Sequence, residues 1–239
     1  MNFLELGQRL TIECGAGNVQ LTTMQNQKGE ALRFVNWVSQ AWNELQTVFD
    51  CWEWMRSSSL LGAGVSFVAD PGQAVVPLGT GPGQIGLDPK DFGGKWVEDS
   101  FRNYVTSFGF RSEIFLESIS YDWWRDAYMY GANRAVQTRP VVIAVGPGKE
   151  ICLGPPSNGL YTTTGDYYRS PAIMAQDTDI PAGLPTQYHM AIIYKGMEYY
   201  GAYEAATEVV ARGEEGYGNQ LFELTRRYGP RVKMGGPLA

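Results

Sequence analysis

Glu117, Asp122 and Asp126 are the residues of this chain whose types most invite a reaction. Two carboxyl groups flanking a cleft at ~5–9 Å hydrolyse glycosides, one as the acid and the other as base or nucleophile. Asp122 and Asp126 share a helix face, but a first-turn acid also serves simply to complement the helix dipole. His189 is the only histidine, so any Ser-His or Cys-His device has to use it, and no serine stands in Gly-x-Ser-x-Gly. It falls in the first turn of a helical pattern with Ile192 and Ile193 at i+3 and i+4, a spacing that packs a side chain. Gly81-Pro-Gly-Gln-Ile-Gly86 matches G-x-G-x-x-G, yet Leu-Asp-Pro follows where a dinucleotide site needs a helix opening on the last glycine. Gly94-Lys95 and Gly148-Lys149 lack the upstream glycine of a phosphate-binding loop. Cys14, Cys51 and Cys152 form no CxxC pair, and beside one histidine they make no zinc set. No catalytic, cofactor or metal site is expected.

The elements that would position these residues come in three blocks. Phe3, Leu6, Leu10 and Cys14 recur at helical spacing, and Gly15-Ala-Gly17 ends that helix. From Glu30 to Met55 the positions Phe34, Val38, Ala41, Leu45, Val48, Trp52 and Met55 alternate in fours and threes, which predicts one long helix in a bundle. Strands follow. Val65 to Val76 around Asp70-Pro-Gly-Gln73 predicts a hairpin, and Gly79 to Lys95 a surface loop. Ser100–Val105 and Ile114–Leu116 read as short strands, and Ser120 caps a helix running to Gly131. Pro140–Val145, Glu150–Leu153 and Leu160–Tyr168 read as an antiparallel meander. Two helices close the chain, Thr186–Tyr200 and about Ala202–Tyr228. Gly213, Gly216 and Gly218 inside the second imply close backbone approach or a break, since each costs roughly 1 kcal/mol relative to Ala.

This order predicts an α+β chain: N- and C-terminal helices (1–58 and 184–228) form a bundle. An antiparallel β domain (59–183) with one short helix is inserted, and 229–239 extends as an arm. Of the 239 residues 44% are hydrophobic, enough for a sizeable core and against global disorder. The net charge of −6 disfavours indiscriminate binding to nucleic acid. The N-terminus lacks a basic segment followed by an apolar core, and no apolar run approaches the ~20 residues that span a bilayer. A soluble protein made in a cytoplasm is expected, with no membrane partner.

Aromatic residues are plentiful, with 7 Trp and 14 Tyr, and such rings dominate contact surfaces as well as cores. Trp37 and Trp54 lie off the helical seam, and Trp123 and Trp124 are adjacent at the start of the short helix; these four are the candidate subunit contacts. The charge trend reverses at the C-terminus, where no acid follows Glu223 while Arg226, Arg227, Arg231 and Lys233 are basic. Residues 229–239 have no periodicity and read either as a frayed tail or as an arm that orders on a partner.

Spread over nearly the whole length, the chain resembles the head-to-tail adaptor (neck, or connector) proteins of tailed bacteriophages, those of short-tailed phages especially. The likeness is carried by Phe3-Leu-Glu-Leu-Gly-Gln-Arg-Leu10, by Gly29-Glu-Ala-Leu-Arg-Phe-Val-Asn-Trp37 and its continuation to Trp52-Glu-Trp-Met-Arg56, and by Tyr121-Asp-Trp-Trp-Arg-Asp-Ala-Tyr128. Arg139-Pro140, Gly165-Asp-Tyr-Tyr-Arg-Ser-Pro171, Leu184-Pro-Thr-Gln-Tyr-His-Met190 and Tyr199-Tyr-Gly-Ala-Tyr-Glu-Ala205 complete it. The resemblance implies a structural virion protein without a reaction, a self-associated ring of about twelve copies closed by rotation. That ring would sit in the neck below the portal protein, above a tail nozzle or other tail protein, with genomic DNA passing through. It further implies that the C-terminal segment, with Arg226, Arg227, Arg231, Val232, Lys233 and Met234, reaches onto the portal. The competing classes are a carbohydrate-active enzyme using Glu117, Asp122 or Asp126, and a glycan- or receptor-binding tail module using exposed Trp and Tyr.

Overall fold

In chain order, the computed structural model places helices α1 (Phe3–Glu13), α2 (Gly29–Thr47), α3 (Tyr121–Tyr128), α4 (Met190–Glu204) and α5 (Thr207–Tyr228). Its strands are β1 (Arg56–Ser57), β2 (Val65–Ala69), β3 (Val75–Val76), β4 (Phe92–Val105), β5 (Ile114–Phe115), β6 (Glu117–Ser118), β7 (Val142–Val145), β8 (Ile151–Gly154) and β9 (Tyr161–Arg169). The structure describes residues 1–229, and the chain is α+β with helices at both ends. It divides into a helical unit, Met1–Trp54 with the chain from Pro171 onward, and a β unit, Met55–Ser170.

In the helical unit, Asn2 and Glu5 form a reciprocal capping box at the head of α1, satisfying two amides that have no partner within the helix. The apolar stripe of α2 buries Phe34, Val38, Ala41, Trp42 and Leu45, and α4 buries Ala191, Ile192, Ile193 and Met197. The helix α2 stops at Thr47, short of the expected Met55. Thr47 Oγ1 bonds back to the carbonyls of Asn43 and Glu44, and the indole of Trp52 turns back to donate to the Leu45 carbonyl at 3.0 Å. The apolar positions at 48–55 therefore cap the helix end with aromatic rings instead of extending it.

The domain divide also falls earlier than expected at both crossings. Arg56 and Ser57 pair with Tyr168 and Tyr167, so they belong to the β unit. Segment 171–183 stays with the helices: the Ala172 carbonyl accepts from Trp42 Nε1 and Gln46 Nε2, the Asp179 carbonyl accepts from Phe3 N–H, and Asp177 Oδ1 accepts from Met24 N–H.

The β unit stacks two sheets. The first runs β1-β9-β4-β5, with β2 also on β9, and the second runs β3-β8-β7-β6. Val65, Phe67, Trp96 and Phe101 of the first meet Ile143, Ile151 and Leu153 of the second in one core. Strand pleating sends Ala144 and Cys152 to the opposite face of the second sheet, where Trp124 of α3 covers them. All strand pairs are antiparallel except β6–β7. The expected hairpin over Val65–Val76 does not form. Its turn closes through Gln73 N–H to the Asp70 carbonyl, but β2 pairs with β9 and β3 with β8, so the turn crosses between sheets. The expected meander is likewise split, with β7–β8 in one sheet and β9 at the centre of the other. Residues 79–91 are a loop but not wholly a surface one, since Ile85 and Leu87 are core residues; β4 begins at Phe92, inside the span read as loop. Helix α3 ends at Tyr128, before Gly131.

Candidate assembly surfaces

The residues with chemical potential are occupied in structural work. Asp122 and Asp126 flank Arg125 at 3.2 and 3.1 Å with side chains 81% and 65% exposed, and Glu117 is exposed on the short strand β6. Carboxylates standing this far out in water do not flank a cleft in which a sugar could be held. His189 is 2% exposed. Its Nδ1 lies 2.8 Å from the Met1 amino group and its Nε2 3.2 Å from the Leu184 carbonyl, so both ring nitrogens are engaged. Burial, and then the neighbouring N-terminal ammonium, push its pKa below the usual histidine value. Burial raises the thiols of Cys14 and Cys152 to about 12, which makes them poor nucleophiles.

The Gly81–Gly86 loop closes on itself. Gln84 Oε1 accepts from Gly81 N–H, Gly79 takes the amides of Gly86 and Leu87, and no helix opens there, so those amides are unavailable to a phosphate. Among the described residues no group of three His, Cys, Asp or Glu could hold a metal, and no helix is long and apolar enough to cross a membrane.

What the surface does present is apolar. Of the four tryptophans singled out by sequence, Trp123 is 54% exposed and Trp124 is 1% exposed, with its indole donating to the Leu153 carbonyl; Trp124 therefore holds α3 on its own sheet. Trp37 is half-buried against Phe34 and Tyr200 at 5.1 and 5.9 Å, and Trp54 stacks on Trp42 at 5.7 Å. Sequence reasoning missed two more prominent features of the β unit. Leu60 and Leu61, 95% and 85% exposed, form the tip of a 3-10 turn over Ser59–Leu61. Phe108 and Phe110, 70% and 74% exposed, form the tip between β4 and β5.

Both tips are built on fixed bases. Asp166, 4% exposed, accepts from Ser59 N–H at 2.7 Å and Ser59 Oγ at 2.9 Å, and from Arg56 Nε and Nη2 at 3.0 and 2.6 Å. Burial alone would raise its pKa, but these donors together hold it below the usual aspartate value. Arg139 ties the second tip by donating to the carbonyls of Ser112 and Asn103. Leu60 and Phe110 face a groove of about 530 Å³ floored by polar groups such as Ser66, Arg102 and Thr164. A second cavity of about 300 Å³ lies beside α3 and is lined by Val75, Tyr121, Trp124, Met129, Tyr130 and Cys152 among others. The signal for the leucine turn was present in Ser57-Ser-Ser-Leu-Leu-Gly-Ala-Gly64: an apolar pair with no periodic partner, fenced by turn residues.

At the C-terminal end of α5, Arg226 and Arg227 lie 2.8 and 3.7 Å from Glu223, where cations complement the helix dipole. Arg231, Val232, Lys233 and Met234 lie outside the described residues. The model of the family described as SU10 adaptor protein matches residues 1–234. No curated protein matches the chain.

Proposed function

The chain belongs to the SU10 adaptor protein family, and from that premise we propose that it is a structural subunit of the virion neck that joins a phage head to its tail. The observation that carries this is the family match over residues 1–234. In this reading the chain assembles in the host cytoplasm as a ring of about twelve copies by head-to-tail contacts. The ring seats on the portal protein and receives a tail nozzle or another tail protein below. Genomic DNA passes through without specific binding, favoured by subunits of net charge −6 that release no counterions from phosphate. The reading gives the chain no reaction, and the solvated Arg125-linked carboxylates and the fully engaged His189 accord with that. Trp37, Trp54 and Trp123 are proposed to contribute to subunit contacts, whereas the burial of Trp124 within its own subunit gives it an internal task. The segment from Arg226 and Arg227 through Arg231, Val232, Lys233 and Met234 is proposed as the portal-docking arm.

Mixing the purified chain with portal particles and counting copies by electron microscopy tests the ring. Deleting Gly229 to Ala239 is expected to leave the melting profile unchanged. It should weaken binding to the portal by roughly tenfold or more, the equivalent of about 1.4 kcal/mol. Unchanged occupancy of the portal by the truncated chain would remove the arm from the proposal.

A further inference from the structure

We propose that the groove between the Ser59–Leu61 and Gly109–Ser112 turns of the β unit is a binding site for a neutral oligosaccharide. The site lies within one subunit and goes beyond the ring reading above without resting on it.

Strand register sets the floor. Pleating turns Phe101 and Asn103 of β4 inward, where both are fully buried, and sends Arg102 and Tyr104 to the opposite face. Ser66 of β2 and Arg102 of β4 both face Thr164 of β9, so two hydroxyls and a guanidinium form one row across three strands. The outer face of an antiparallel sheet ordinarily lies open to water. Here it is sunk between two raised turns and encloses about 530 Å³, within the range of small-molecule sites.

Both walls are fixed by their own subunit. The buried Asp166 holds Ser59 through its amide and hydroxyl and Arg56 through two nitrogens. On the other side Arg139 donates to the Ser112 carbonyl, and Ser112 Oγ accepts from Val105 N–H at 3.0 Å. The rings of Phe110 and Tyr104 meet at 5.0 Å, and the Arg102 guanidinium lies over the Phe115 ring at 5.6 Å. A ligand therefore enters a site that needs little further ordering.

The lining selects the class of ligand by elimination. Arg56 and Asp166 neutralise each other, which leaves Arg102 as one cation against the two carboxylates of Asp99 and Glu113. That balance disfavours phosphate, sulfate and other anions. A metal ion finds no group of three ligating side chains among the described residues. A purely apolar ligand would strip water from the floor without replacing its hydrogen bonds. A pyranose meets both requirements. Its hydroxyls can donate to Asp99 and Glu113 and accept from Arg102, as charge-assisted hydrogen bonds, while its C–H face lies on Tyr104 and Phe110. The groove is roughly three times the ~150 Å³ that accommodates one benzene-sized ring, which gives room for about two or three sugar rings.

The test is saturation-transfer NMR of the full chain with neutral hexasaccharides of glucose, mannose, galactose and N-acetylglucosamine, and with a heparin hexasaccharide as the anionic comparison. At least one neutral sugar should bind, with transfer strongest at its ring C–H protons, and the heparin fragment should not. Phe110→Ala and Arg102→Gln should each weaken that binding by roughly tenfold or more with unchanged melts, because both side chains are exposed. Tyr130→Ala removes a ring that is 62% exposed beside the other cavity, and it should bind like the parent. Silence from every neutral sugar, preference for heparin, binding that survives both groove variants, or an equal loss in Tyr130→Ala overturns the assignment. Copy counts on portal particles are read separately, so a failed ring leaves the sugar site standing and a failed sugar site leaves the ring standing.

Discussion

At the scale of residues, His189 separates a packed imidazole from a catalytic one. Its two nitrogens meet the Met1 amine and the Leu184 carbonyl, with Glu5 the nearest acid acting on it, so the native state favours the neutral ring. Because its folded pKa is lowered, the unfolded chain takes up the proton more readily. The stabilising contribution is complete above the unfolded value of ~6.5 and is lost as pH falls from there through the folded value. His189→Gln should cost about 1–2 kcal/mol at pH 7.5 through lost buried hydrogen bonds. That gap between parent and variant should narrow at pH 5, where the parent pays for holding His189 neutral. Urea titrations at the two pH values measure it; a gap that does not change with pH contradicts the neutral ring. The carboxylates illustrate the opposite case. Asp122 and Asp126 were legible as a helix-face pair, and their exposure beside Arg125 follows from α3 turning only Trp124 fully inward.

At the scale of elements, the seam between α4 and α5 is where glycine has a specific task. A Cβ on Gly213 would lie 2.8 Å from the Tyr194 carbonyl oxygen, and one on Gly216 would lie 2.6 Å from the Tyr194 ring, while Gly218 faces open space. Gly218→Ala should therefore stabilise by roughly 0.5–1 kcal/mol through helix propensity alone. Gly213→Ala should destabilise by about 1–3 kcal/mol despite the same propensity gain, because two helix backbones would have to part. Chemical denaturation of the two variants decides it, and equal shifts in both would mean that the helices are not in close contact. The sequence made the glycines conspicuous because three occur within one helical turn and a half of each other, but only the neighbouring helix distinguishes which are required. The same asymmetry runs through the fold. Strands were legible at Val65–Ala69, Ile151–Leu153 and Tyr161–Tyr168 because alternation and punctuation are local. Their partners were not, because pairing is fixed by a core assembled from distant residues: β2 passes over its nearest neighbour in sequence to join β9. The end of α2 was hidden for a related reason, as Trp52 continues the helical spacing while its indole serves as a cap. The leucine turn escaped notice because an apolar pair ordinarily signals core, and its exposure in the fold reverses that inference.

At the scale of the whole molecule, the chain leaves the helical unit after Trp54 and returns to it at Pro171, and these crossings border paired strands. Arg56 faces Tyr168 across β1 and β9, so the β unit begins and ends at one place and closes its own sheet. That is the arrangement in which a domain can be inserted into another without sharing a core. Its core of Phe67, Trp96, Phe101, Ile143, Ile151 and Leu153 draws on both sheets and on no residue of the helical unit. Asp166 and Arg56, which fix the leucine turn, also lie within it. A chain comprising Met55–Ser170 alone should therefore fold, with a cooperative thermal transition whose enthalpy is about 80 kcal/mol at ~0.7 kcal/mol per residue. It should also retain near-ultraviolet circular dichroism from the buried Trp96, Phe101 and Trp124. Scanning calorimetry together with that spectrum provides the check. A broad, non-cooperative transition with dye-binding apolar surface would show that the β unit depends on the helices for its core. A cooperative one would show that the β unit is a self-sufficient folding body whose core needs nothing from the helical unit.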